Sequence, residues 1–302
     1  MNRVLVTGAS GFVGRHCLPL LAKADCDVLA VSRTRVVDAA DVTWVHADLL
    51  SDDVEHLVDD LRPTHLLHLA WCTSPGNFWH TSENVLWRRA SRRLYRRFVD
   101  AGGQRIVATG SCAEYEWSGN ALDEDATPLA ADTLYGQTKV RSALDLDAAV
   151  DGKTTNAAWA RLFFMYGPFA SEQRMPGVVI SSLLSGKMAQ CSSGTQRCDF
   201  VYIKDVASAL VSLLLSNVSG AFNICSGLPV SVREIAEFAA ALVGRSDLVR
   251  FGAVKTGLEP QAIFGNNERV QRELDWRPAY SLERGLQETI DWYREKQIGH
   301  AA

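Results

Sequence analysis

The chain has 302 residues, 47% of them apolar and 22% charged, with a formal net charge of −4. That length suffices for one large core and a smaller lobe, and the charge balance offers no global positive field to attract nucleic acid. No apolar run approaches a membrane span, and a strand and turn begin at MNRVLVTGAS, which leaves no room for a signal peptide.

Residues 3–7 are a short β-branched run, followed by TGASGFVG and an amphipathic helix to about Lys23. Strands are predicted at 27–31 and 43–46, and a helix over 52–61 that Arg62-Pro63 stops. A buried strand at 65–70 precedes a long helix over 84–101, closed by Gly102-Gly103. Residues 105–109 form a strand leading to GSCAEY, a helix spans 134–150, and another strand spans 157–163. This alternation implies an α/β fold with a doubly wound parallel sheet covered on both faces.

After Tyr166-Gly167-Pro168 the texture changes. Residues 167–176 read as irregular, 176–186 as helix, 199–203 as strand and 204–215 as helix. A strand at 221–224 and helices at 232–242 and 281–294 complete the pattern. The division expected is a dinucleotide-binding domain over 1–166 and a smaller, mainly substrate-binding α/β lobe over 167–302, with about 199–217 returning to the first core.

The basic run RRASRRLYRR at 88–97 interleaves with Leu94, Tyr95 and Phe98, so it reads as a solvated helix face or a patch beside a subunit interface. The seven cysteines form no CxxC pair and read as free thiols of a reducing cytoplasm. His65 and His68 are three apart on a strand and face opposite ways, so no metal site is expected.

Gly8, Gly11 and Gly14 form a G-x-x-G-x-x-G turn between strand and helix. Glycine permits a tight turn and a close approach of backbone to a pyrophosphate, which the helix amides and the positive helix end then meet. Phe12 and Val13 anchor that helix to the sheet. At the end of the second strand stand Ser32 and Arg33, followed by Arg35, where a carboxylate would mark NAD. A hydroxyl and a guanidinium suit a 2′-phosphate, so NADP(H) is favoured over NAD(H). Asp48, with the Leu49 amide, either meets the adenine or caps the helix that follows.

Tyr135 and Lys139 lie four apart in YGQTK and so share a helix face. A phenol, with a reference pKa of about 10, becomes a proton donor and acceptor near neutral pH when an ammonium stabilises its anion. Ser111 would orient a substrate oxygen between hydride and phenol. Cys112 adjoins Ser111 among the substrate contacts, and no histidine is placed to make it a nucleophile. Glu114 and Glu116 read as polar loop residues or substrate hydroxyl contacts, or as an acid or base if the enzyme is a dehydratase.

These motifs, with HLAW at 68–71, RLFFMYGP at 161–168 and DFVYIKDVASAL at 199–210, resemble the extended short-chain dehydrogenase/reductase family, in its nucleotide-sugar epimerase, dehydratase and reductase branch. The resemblance spans nearly the whole chain. It implies a Rossmann-type domain, the catalytic roles given above for Ser111, Tyr135 and Lys139, and Leu69 and Ala70 lining the cofactor pocket. Asn84 would support the backbone there, and Phe164 and Met165 would lie near the nicotinamide or the sugar.

Departures from the pattern matter. Relatives often carry arginine immediately before the Asp-Phe pair, but here that place is Cys198 and the arginine is Arg197. A one-residue shift reverses side-chain direction on a regular strand, so Arg197 reaches a diphosphate only through a bulge or loop. Arg174 and Lys255 are the other phosphate candidates. Trp71 either walls the sugar pocket or packs under its loop. Dehydratases place acidic residues after the catalytic hydroxyl, where this chain has Cys112-Ala113. The expectation is therefore an NADPH-dependent reductase of a nucleoside-diphosphate 4-keto-6-deoxy sugar, with an NAD-dependent 4-epimerase as the alternative. The family's habit of pairing helices 84–101 and 134–150 into a four-helix bundle implies a homodimer.

Overall fold

The computed structural model describes residues 1–34, 42–51, 54–73, 76–254 and 262–301. In chain order the strands are β1 (Arg3–Thr7), β2 (Asp27–Ser32), β3 (Thr43–His46), β4 (His65–His68), β5 (Arg105–Ser111), β6 (Asn156–Leu162), β7 (Phe164–Tyr166), β8 (Ala189–Gln190), β9 (Arg197–Tyr202), β10 (Gly220–Ile224), β11 (Pro229–Ser231) and β12 (Val249–Arg250). The helices are α1 (Gly14–Lys23), α2 (Val54–Leu61), α3 (Glu83–Asp100), α4 (Leu134–Val150), α5 (Gly177–Leu184), α6 (Ile203–Leu214), α7 (Val232–Val243), α8 (Glu268–Leu274) and α9 (Leu282–Ala301).

Seven parallel strands make the main sheet in the order β10-β6-β5-β4-β1-β2-β3. Both faces are covered, which is why β1, β2 and β5 are buried continuously along their length rather than in alternation. One core gathers Leu21, Val6, Val107 and Leu210 on the α1 and α6 side. The other gathers Leu5, Leu66, Phe98 and Trp159 on the α3 and α4 side. Each such aliphatic side chain removed from water contributes about 1.5–3 kcal/mol. α6 is buried almost all round because it lies against both α1 and the sheet.

The second half of the chain thus supplies β10 and α6 to the main layers. It also builds two small sheets, β11-β9-β7 and β12-β8. Strands β7, β8, β11 and β12 and helix α8 fall where no element was expected from the sequence. Among the described residues, no helix is long and apolar enough to cross a membrane.

Candidate active site

The strand order reverses at β1, with β2 on one side and β4 on the other. In such sheets a crevice opens at the carboxyl ends of the strands at that point. The glycine turn occupies it. Gly8 has φ +68°, and a Cβ there would lie 2.8 Å from the Ala70 amide nitrogen. A Cβ on Gly14 would overlap the Gly8 and Ala9 carbonyls. Glycine at both places therefore lets the turn close on the end of β4 and leads straight into α1. The Gly11 N–H donates to Gly8 O at 3.0 Å, while the first-turn amides around Phe12 and Val13 precede the helix's own bonding ladder. A backbone stripped of Cβ atoms in front of a helix N-terminus suits a pyrophosphate.

At the end of β2 the Ser32 hydroxyl donates to Ser10 Oγ at 3.0 Å and accepts from the Thr34 N–H at 3.3 Å. Arg33 is exposed and stands 5.9 Å from the Trp87 ring centroid. Asp48 is exposed and accepts from the Leu50 N–H at 3.0 Å, so it braces its own turn, while Leu49 is buried in the core. Arg35 lies outside the described residues.

Buried polar groups tie β4 to its neighbours. His68 Nδ1 is 2.7 Å from Thr7 Oγ1 and its Nε2 is 2.8 Å from Ser91 Oγ. Burial, with Lys139 adding to it, lowers the His68 pKa to about 3, so this imidazole is neutral. The Leu69 N–H donates to Thr7 Oγ1 at 3.2 Å, and Ala70 is buried beside Gly8. Asn84 does its work through a loop: its amide donates to Phe78 O at 2.7 Å and Thr81 O at 3.0 Å, and it accepts from Trp71 Nε1 at 2.8 Å.

The YGQTK motif begins α4. Thr133 caps that helix by accepting from the Gly136 N–H at 3.1 Å. Gly136 has no side chain to collide with Ala113 O, so the first turn of α4 rests on the turn that follows β5. That contact sets Tyr135 beside Ser111. Phe78 and Trp79 meet the Tyr135 ring edge-on, at 5.1 and 5.7 Å between centroids. Lys139 is 3% exposed, donates to Thr109 O at 2.7 Å, and holds its ammonium 3.7 Å from the Trp71 ring centroid. Such a cation over an indole face is attracted by its quadrupole.

Burial pushes the Lys139 pKa down, and the charge of Glu114 pulls it back up. Tyr135 departs from the sequence expectation of a lowered phenol. Burial raises its proton affinity, while the Ser111 hydrogen bond and, last, the Arg174 charge work the other way. Desolvation, reinforced by the Glu114 charge, prevails because the ring is enclosed by Phe78, Trp79 and the α4 turn.

Ser111 ends β5 and caps the short helical turn Cys112–Glu114, accepting from the Ala113 N–H at 3.2 Å. Glu114 closes the reciprocal bond, accepting from the Ser111 N–H at 2.7 Å. Its carboxylate is 0% exposed and also accepts from Trp159 Nε1 at 3.1 Å and Arg161 Nε at 2.8 Å. Arg161 continues to the Tyr115 hydroxyl at 2.8 Å, which donates to Asn223 Oδ1 at 2.8 Å. A Cβ on Gly110 would overlap both the Glu114 carboxylate and the Trp159 indole nitrogen.

Phe164 and Met165 lie half-buried on β7, where Phe164 meets the Phe200 ring at 5.8 Å. Arg174 donates to Thr73 O at 2.7 Å and covers the Phe78 ring at 5.3 Å, near enough to Tyr135 to influence it. Arg197 stands at the outer end of β9. The pairing of Arg197 with Ser231, Cys198 with Val230 and Asp199 with Pro229 is unbroken, so no bulge turns it, and it donates to Pro229 O at 2.7 Å. Cys112 is buried, and burial raises its thiol pKa further from a nucleophile's range. Lys255 lies outside the described residues.

The site thus draws in Phe78, Trp79, Trp159 and Arg161, which sequence reasoning passed over, and it gives Glu114 a role other than the ones expected. Arg161 left a signal: a charge inside the apolar strand AAWARLFF requires a buried partner. Trp159, two residues away on a strand, shares its face.

Residues 4–225 match the model of the family described as "NAD dependent epimerase/dehydratase family". Among curated relatives, UDP-glucose 4-epimerase of Mycolicibacterium smegmatis is 27% identical over 97% of this chain and 99% of its own length. The dTDP-glucose 4,6-dehydratase of Streptomyces niveus is 24% identical over 98% of this chain and 94% of its own. The solved structure of MoeE5 in complex with UDP-glucuronic acid and NAD superposes with a TM-score of 0.87 at 27% identity, over 97% of this chain and 99% of that one.

Proposed function

Because the chain belongs to the NAD dependent epimerase/dehydratase family, we propose that it reduces the 4-keto group of a nucleoside-diphosphate 4-keto-6-deoxy sugar with NADPH. The observation that carries the chemistry is the junction of α4 with the end of β5, which puts Tyr135 against Ser111 and buries Lys139 on the same helix face. When bound, the nicotinamide supplies the hydride. Ser111 donates a hydrogen bond to the C4 oxygen, and Tyr135 delivers the proton as negative charge develops there. Lys139, its Nζ 6.0 Å from the Tyr135 ring centroid, would act in its ammonium form and is available to the nicotinamide ribose. Phe78 and Trp79 exclude water from the phenol's flank.

The residues of the glycine turn, Ser32, Arg33, Asp48 and Leu49 would hold the dinucleotide, with Leu69, Ala70, Asn84 and Phe164 around it. The hydroxyl pair Ser10–Ser32 with Arg33 close by supports the 2′-phosphate reading. The sugar nucleotide would meet Trp71, Cys112, Met165, Arg174 and Lys255; Arg197, on an unbulged strand and bonded to Pro229 O, is turned away from that role. Residues 1–166 are assigned to the dinucleotide and 167–302 mainly to the substrate. A homodimer would pair α3 and α4 of two copies, whose Leu86 and Leu144 are 49% and 62% exposed.

An NAD-dependent 4-epimerase is the second reading, favoured by the relative of that activity and by the NAD held in MoeE5. Dehydration is the weakest, because Cys112 is buried and Glu114 is engaged by Arg161. A panel of 4-keto nucleotide sugars with NADPH or NADH separates these readings. Reduction consumes NADPH in proportion to product, whereas epimerisation yields an isomer with no net consumption. Tyr135→Phe should lower kcat by about 10²–10⁴-fold while the Kd for NADPH, followed by fluorescence, stays near the parent's. Full activity in Tyr135→Phe would refute the assignment.

A further inference from the structure

We propose that Glu114 is a positioning residue of the proton-transfer site: anchored by Trp159 and Arg161, it fixes the Ser111 backbone and supplies a negative charge that favours the ammonium form of Lys139. This rests on the assignment of Ser111, Tyr135 and Lys139 just made. The geometry has three parts. The carboxylate accepts from the Ser111 N–H at 2.7 Å, so the backbone that carries the catalytic hydroxyl is tied directly to it. Trp159 and Arg161, two residues apart on β6, clamp the same carboxylate from the sheet side at 3.1 and 2.8 Å. Gly110 leaves the space in which indole and carboxylate meet.

The charge of Glu114 acts independently of these bonds. Lys139 is 3% exposed and, among the described residues, has no carboxylate within ion-pair distance. Its neighbours are the Thr109 carbonyl at 2.7 Å, the Trp71 ring at 3.7 Å and, at 6.0 Å, the Tyr135 and Trp159 rings, none of which carries a formal charge. A buried ammonium with only dipoles around it tends to lose its proton. Glu114 is the carboxylate whose charge reaches it. An ion pair in direct contact would immobilise the ammonium. A carboxylate out of contact stabilises the charge and leaves the Nζ protons not donated to Thr109 O for the ribose and phenol.

The groups that feel this charge are Lys139 and Tyr135 on α4, Tyr95 on α3, Cys112 and Tyr115 in the turn and Arg161 on β6; His68 on β4 and Arg174 beyond β7 face Lys139 and Tyr135 in turn. Removing the negative charge makes every neighbouring proton easier to lose, so both limbs of a pH–rate profile move in one direction.

The test is Glu114→Gln, which keeps an acceptor for the Ser111 N–H and deletes the charge. It should lower kcat about tenfold or more, leave KM within about threefold, and displace the kcat profile to lower pH by roughly half a unit or more. Glu114→Asp, which keeps the charge on a shorter arm, should restore the parental position of the profile. If Glu114→Gln does not fold because Arg161 is left without its partner, the double variant Glu114→Gln/Arg161→Gln carries the same measurement, since neither charge is then stranded. A parental profile in the folded variant overturns the inference, even if its melting temperature falls. The two assignments fail separately. If Tyr135→Phe abolishes turnover while the Glu114 variant keeps the parental rate and profile, only the role of Glu114 is lost; if Tyr135→Phe is fully active, the underlying site is wrong.

Discussion

Glu114 and Asp199 are both wholly buried carboxylates, one at the reacting end of the main sheet and one on β9 in the smaller lobe, yet they are held by opposite means. Glu114 meets the Arg161 guanidinium. Asp199 meets donors without formal charge: the Ser226 amide at 2.7 Å, the Ser226 hydroxyl at 2.6 Å, the Gly227 amide at 2.9 Å and the Gly265 amide at 3.3 Å. Burial raises the Asp199 pKa, and those four bonds oppose it. Asp205 repeats the device, accepting from the Ala279 and Tyr280 amides at 2.9 and 3.1 Å. Away from the reacting end, carboxylates staple irregular segments. The catalytic end uses one whose charge is partly answered by a cation and partly felt by the reacting groups.

Three substitutions can break or sharpen this contrast. The largest effect is expected from Arg161→Met, which leaves Glu114 buried and unpaired at a cost of about 3–5 kcal/mol, read from urea unfolding. A loss no larger than that of Asp199→Asn would erase the distinction between the two carboxylates. Asp199→Asn should cost about 1–3 kcal/mol, because its amide group faces backbone donors it cannot accept from. Turnover per folded molecule should stay within about twofold of the parent, since the residue touches none of the reacting groups. A fall in turnover at unchanged stability would move Asp199 into the chemistry.

The smallest effect concerns a third buried polar group, the neutral His68. Its folded pKa, about 3, lies below the unfolded value of 6.5. As pH falls through that window the unfolded chain takes up a proton that the native state does not, so stability falls, by at most about 1.4 kcal/mol per pH unit. His68→Gln should flatten this slope. His16 and His65, also lowered chiefly by burial, would leave a shallower remainder. An unchanged slope would mean that His68 is accessible to protons in the folded protein.

The parts of the molecule that were legible in the sequence are those set by local pattern. α4 runs over 134–150 and β3 over 43–46, as expected, because periodicity and caps specify them. The glycine turn and YGQTK declare themselves by spacing. The three-residue strands β7 and β11 do not, since each exists through its pairing with β9 and carries too few residues for a periodic signal. Glu114 read as a polar loop residue or substrate hydroxyl contact because its partner is 47 positions away. The enclosure of Tyr135 by Phe78 and Trp79 was equally hidden: those rings belong to the connection between β4 and α3, whose path Asn84 fixes through backbone carbonyls. Direction on a regular strand was legible, so the exposed, unbulged position of Arg197 follows from its place before Cys198.

The bare hydrogen at position 110 also imposes an order on mutational history. A methyl group there collides with the carboxylate and the indole together. A descendant lineage can therefore shorten residue 114 and trim residue 159 first and enlarge residue 110 afterwards, but the reverse path runs through a sterically blocked intermediate. Any library built to diversify this corner should vary 110 only in combination with 114 and 159.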